Sequence, residues 1–335
     1  MLAAALLISA CAPTYKTIDF RKNTGLVWPG KPAQPRITYV ASFYHPEQFG
    51  IEKGFLTWLS DLISGEEERR LIRPMAITKT SDEVLFVADP GVKGVHRFDQ
   101  IKKRYALIRR EDNKVLPSPV GIAVDSKDNI YIIDSELAKL FKIEKNSDVA
   151  TEVFLDSKLV QPTSIAINPD KLSLFITDTG SHHITQFSYD GKLKGVIGQR
   201  GTAKGEFNYP TTIWWDQSGQ LYVTDALNFR IQIFDREGNF VSYFGKQGDS
   251  TGNLSRPKGV ATDRYGHVYV VDALFHVFQL FDQNGNFLMH VGGQGQGNGQ
   301  FWLPTGIFIS NDNEIYIADS HNRRVQVFRY VGGQS

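Results

Sequence analysis

One cysteine, Cys11, is all that 335 residues contain. A single thiol excludes an intrachain disulfide, so the fold is held by packing and hydrogen bonds. It also excludes Cys-x-x-Cys-His haem attachment, and the chain has neither a His-Glu-x-x-His zinc motif nor an acidic EF-hand loop. Net charge is the second shortage. Against 37 Lys and Arg stand 36 Asp and Glu. No field attracts a polyanion, and nucleic acid is not an expected partner. The third absence is an apolar run of about 20 residues, so no segment reads as a membrane-spanning helix.

What the chain does have is repetition. Prolines at 74, 119, 162, 210, 257 and 304 each open an apolar strand, and aspartates at 89, 134, 178, 225, 272 and 319 each close the next one. Both series recur every 43 to 48 residues. A period of that length marks a modular, radially repeated fold. Within a unit the first strand reads like Val120-Gly-Ile-Ala-Val124 and the second like Val268-Tyr-Val-Val271. Pairs such as Asp128-Asn129 and Ser218-Gly219 supply the tight turn between them. Third strands alternate, as in Arg230-Ile-Gln-Ile-Phe234, and a fourth follows Gly238-Asn239. Six units of four antiparallel strands predict an all-β, six-bladed β-propeller. The last unit lacks a fourth strand. An orphan strand at 36–43 is expected to fill that edge and close the ring.

The units resemble NHL repeats. The likeness rests on Pro119-Val-Gly-Ile-Ala-Val-Asp125, on Glu314-Ile-Tyr-Ile-Ala-Asp-Ser320 and on His321-Asn-Arg-Arg-Val-Gln-Val-Phe328. It spans about residues 36–330 and is clearest in units four to six. It implies the propeller fold, and a family of binding modules, sensors and a few enzymes. Domain boundaries follow: 1–10 a signal peptide, 11–35 a tether and 36–335 the propeller. Residues 44–73 form a helical cap insertion, because Phe55, Trp58, Leu59, Leu62 and Ile63 fall at spacings of three and four.

The segment Leu7-Ile8-Ser9-Ala10-Cys11 resembles a bacterial lipobox. That resemblance implies cleavage before Cys11 and acylation of its sulfur. No Lys or Arg precedes the apolar run, which departs from the pattern. Acyl chains on Cys11 would hold the protein on a membrane surface. Ala12 in the next position points to the outer membrane of a bacterial envelope, facing the periplasm or the exterior.

Candidate chemistry is sparse. The run Gly292-Gly-Gln-Gly-Gln-Gly-Asn-Gly-Gln-Phe301 has two further copies, which makes it a link between blades and not a phosphate loop. The aspartates Asp89, Asp134, Asp178, Asp225, Asp272 and Asp319 are read as turn caps. Amidating lyases of similar fold hold zinc with histidines near the start of innermost strands. Here those positions are Met75, Val120, Thr163, Thr211, Lys258 and Thr305, so no metal and no cofactor is expected. The loops between second and third strands gather His182, His183, Phe229, Arg230, Phe275, His276, His321 and Arg323, the expected partner-binding face. The sequence therefore reads as a monomeric, lipid-anchored propeller that binds a protein or an envelope polymer. The alternatives are a hydrolase or lyase with its site at the channel mouth, and a sensor of a small ligand. No catalytic residue is nominated.

Overall fold

The computed structural model describes residues 17–20, 24–51, 69–168 and 173–332. The signal segment, Cys11 and the helix expected over Glu52–Ile63 lie outside them. Two strands precede the first blade, β1 (Val27–Trp28) and β2 (Ile37–Phe43). Blade one comprises β3 (Ala76–Lys79), β4 (Leu85–Asp89), β5 (Gly94–Asp99) and β6 (Arg104–Arg110). Blade two comprises β7 (Pro119–Val124), β8 (Ile130–Asp134), β9 (Lys139–Ile143) and β10 (Val149–Val153). In blade three these are β11 (Pro162–Asn168), β12 (Ser173–Asp178), β13 (His183–Ser188) and β14 (Leu193–Ile197). Blade four has β15 (Pro210–Trp215), β16 (Leu221–Asp225), β17 (Arg230–Phe234) and β18 (Phe240–Phe244). Blade five has β19 (Pro257–Thr262), β20 (Val268–Asp272), β21 (Val277–Phe281) and β22 (Phe287–Gly292). Blade six has β23 (Ile307–Ile309), β24 (Glu314–Asp319) and β25 (Arg324–Tyr330). The fold is a six-bladed β-propeller.

Blade six is completed from the other end of the chain. Strand β2 pairs antiparallel with β25, from Ile37 opposite Tyr330 to Phe43 opposite Val325. The expected closure by residues 36–43 is therefore the observed one. Two residues inside the expected 11–35 tether belong to the sheet. Val27 and Trp28 pair with Thr38 and Ile37 and add a fifth strand to the blade. Leu26 and Trp28 pack on the core between blades five and six. Burying those apolar side chains ties down backbone that composition alone reads as free.

Second strands such as β20 are buried along their whole length, because a neighbouring blade covers each face. Fourth strands face outward and are largely exposed, as in β18. The core accordingly lies between blades, as six apolar clusters, one per interface. Each of the three glycine-rich links ends in a wholly buried plug, Phe207, Leu254 or Phe301, held by a short parallel bridge. Gly292 sits at φ +108°, and a Cβ there would strike the Phe301 ring at 2.5 Å. That position requires glycine on both counts. Blades one and two are further joined at their outer edges, where β6 and β10 pair in parallel.

Candidate functional site

One end of the propeller carries the entries to the innermost strands and the turns after the second strands. The recurrent aspartates bind the two together. All six are essentially unexposed. Asp134 accepts from the N–H groups of Glu136 and Leu137 in its own turn, and from Ser118 just before the opening proline. Asp89, Asp178, Asp225, Asp272 and Asp319 accept in the same way from Arg73, Gln161, Asn208, Arg256 and Trp302. Proline and aspartate recur in step because each carboxylate clamps the chain as it enters its own blade.

Several residues of the expected binding face are engaged internally. Arg230 is buried, its Nε donating to Asp225 at 2.8 Å and its Nη2 to the carbonyls of Ala203 and Glu206. His182 and His276 accept, through Nδ1, the backbone N–H groups of Tyr209 and Leu303 in the next blade. Phe229 packs on the core between blades four and five. His183 pairs with Asp178 in the sheet, and Phe275 donates its N–H to Asp272. His321 and Arg323 remain exposed. Loop position leaves open both a displayed arginine and one paired with a neighbouring blade, and for Arg230 the structure shows the second. His182 and His276 likewise reach across to the adjacent link.

The exposed surface of this end is instead built from residues that spacing did not single out. Tyr209, Leu227, Leu274 and Trp302 are 42%, 50%, 53% and 42% exposed, on three consecutive blades. Trp302 lies against the His321 ring, with centroids 5.9 Å apart. Arg256 and Arg323 are exposed among them. A sequence signal existed, since Leu227 and Leu274 stand two places after their aspartates, where a solvated turn has no use for leucine.

Inside this rim opens the central channel, a cavity of about 450 Å³. Its upper ring is made by the residues that follow the opening prolines, Met75, Val120, Thr163, Thr211, Lys258 and Thr305. Below them the wall is largely aliphatic and aromatic, with the hydroxyls of Thr78, Ser164 and Thr212 set into it, and ends at Trp214, Trp215 and Phe308. Hydroxyls stitch parts of the upper ring together. Thr163 bonds Thr179 and the Thr211 carbonyl, while Thr305 bonds Ser320, which also donates to the Pro74 carbonyl. Among the described residues, Lys258 is the one ionisable side chain lining the cavity. Burial, with help from Arg256, holds its ammonium below the usual lysine range. No cluster of three or more His, Cys, Asp or Glu suited to a metal occurs among the described residues.

The link Gly248-Asp249-Ser250-Thr251-Gly252 spells Gly-x-Ser-x-Gly. A nucleophile elbow needs a strand, a sharp turn and a helix. Here the Ser250 carbonyl simply accepts the Asn253 N–H within a link between strands, so the spelling carries no chemistry.

Residues 260–334 match the model of a family described as a 6-bladed beta-propeller. The mouse peptidyl-glycine alpha-amidating monooxygenase is 22% identical over 210 residues, 58% of this chain. The match takes in only 20% of that relative's own length. A Bacteroides thetaiotaomicron protein of unknown function superposes with a TM-score of 0.62 at 13% identity, over 88% of this chain and 75% of that one. Virginiamycin B lyase from Staphylococcus aureus superposes with a TM-score of 0.56 at 14% identity, over 78% and 96% of the respective chains. At these identities the likeness is one of fold. Among the described residues, no helix is long and apolar enough to cross a membrane.

Proposed function

We propose that this NHL-type propeller is a binding module, held on a bacterial envelope membrane through acylated Cys11, whose channel-mouth end captures a protein partner. One observation carries the reading: Tyr209, Leu227, Leu274 and Trp302 are exposed together on blades four to six, with Arg256 and Arg323 interspersed. Aromatic and aliphatic anchors beside arginines are the composition of binding hot spots. Their cationic setting favours a partner with an acidic rim around an apolar centre. The lyase alternative draws on its structural neighbour. It would require an acid–base pair at the mouth, where the upper ring supplies Lys258 and five side chains that do not titrate near neutrality.

The test is capture from native envelope extract by immobilised protein. A band retained by the wild type should be lost with Leu227→Glu plus Leu274→Glu. It should persist with Gln217→Glu plus Asn284→Glu, on hairpin tips remote from the rim. Equal retention by both double variants would remove the reading.

A further inference from the structure

Two of the three threonines in the upper ring have a hydroxyl partner in the turn beside them. Thr163 meets Thr179, and Thr305 meets Ser320, with side-chain oxygens 2.6 and 2.7 Å apart. At Thr211 the seam breaks. The residue that follows Asp225, equivalent to Thr179 and Ser320, is Ala226. The Thr211 hydroxyl is consequently buried without a hydrogen-bond partner. Its neighbour in the ring, on blade five, is Lys258. No carboxylate pairs with that ammonium among the described residues, and burial and the like charge of Arg256 both act against it. An orphaned hydroxyl and a cation without a carboxylate partner among the described residues therefore line the mouth of the same cavity, on adjacent blades. An unpaired, half-buried cation and an orphaned buried hydroxyl are both costly. A native structure keeps such groups where something else satisfies them.

We propose that the channel binds a small amphiphilic carboxylate, its head group held by Lys258 and Thr211 and its apolar body lying in the tube down to Trp214 and Phe308. An ammonium and a hydroxyl supply charge-assisted donors to a carboxylate. One cation suits a monoanion, and among the described residues the lining holds no further cation and no helix amino terminus to grip a polyphosphate. A cavity of about 450 Å³ falls in the size range of small-molecule sites. The wall offers only the hydroxyls of Thr78, Ser164 and Thr212 among aliphatic and aromatic side chains, so a fully polar acid would leave most of its own hydroxyls unpaired against isoleucine and tryptophan. The inference does not depend on the rim reading, since none of the four rim anchors lines the cavity.

Calorimetric titration of the whole protein with octanoate and with 1-octanol tests it. Wild type should bind octanoate at least tenfold more tightly than octanol. Lys258→Met should erase that preference by weakening octanoate alone, and Thr211→Val should weaken octanoate severalfold. Unchanged thermal unfolding of Thr211→Val keeps the comparison interpretable if the lysine variant shifts stability. Absence of octanoate binding, or a preference that survives Lys258→Met, overturns the proposal. Octanoate binding that persists in the rim double variant while partner capture is lost would separate the two sites.

Discussion

At the scale of single residues, buried charge decides what each blade tolerates. Asp225 serves Asn208, Asn228, Arg230 and Gln232 at 2.7 to 3.0 Å with no solvent to replace it. Asp225→Ala strands the Arg230 guanidinium inside the blade, and the cost should be about 3–5 kcal/mol in urea unfolding. A loss below 1 kcal/mol would mean that the carboxylate is not the hub of this turn. Lys258 predicts the reverse. Its folded pKa lies below the ordinary 10.5, so the unfolded chain holds that proton more tightly. Stability from this group therefore rises with pH between the folded value and 10.5, and is absent at lower pH. Lys258→Met should raise stability at neutral pH by roughly 0.5–2 kcal/mol, a typical gain where a functional group has been kept at structural expense. The gain should shrink as pH climbs toward 10.5, which thermal melts across pH would resolve. A constant gain at all pH would assign it to packing.

Among the elements, strand order was legible and lateral contact was not. The steps between Pro119, Pro162 and Pro210, with the matching aspartates, report one blade each, because every blade must supply the same clamp and the same hairpin. The missing partner of β25 was also readable, since an unpaired edge is a liability that some other segment must cover. Deleting 36–43 should expose β25 and remove Ile37, Tyr39 and Phe43 from two interfaces. Loss of a cooperative melting transition is the expected outcome, and an unaltered midpoint would contradict closure by β2. By contrast, the parallel contact between β6 and β10 and the fifth strand at Val27–Trp28 left no periodic trace. The repeat of Arg230 at Arg324 and of His182 at His276 marks equivalent positions without saying that their side chains turn inward. Each depends on what the neighbouring blade or link presents. The pair Lys258 and Thr211 was hidden for the same reason. It is visible in the letters only once Ala226 is aligned with Thr179 and Ser320.

For the molecule as a whole, closing the ring brings Arg36 and Val331 to one place. The Val331 N–H donates to the Arg36 carbonyl at 2.7 Å. Among the described residues nearest Cys11 in the chain, Ile18 and Phe20 pack on the core shared by blades six and one, so an anchor at Cys11 would hold the propeller from that seam. Cys11→Ser should move the protein from the membrane fraction to the soluble fraction on centrifugation. Retention in the pellet would refute anchoring through this residue.

Pairing β2 with β25 also sets a schedule. The amino-terminal strand leaves the ribosome first, yet its partner is nearly 300 residues behind it. Five blades finish as hairpins of neighbouring sequence, whereas the sixth must wait for the last segment to be synthesised and released. During that interval the apolar strand Ile37–Phe43 has only the two residues of β1 beside it, and a chaperone that shields its open edge would act on the closure step.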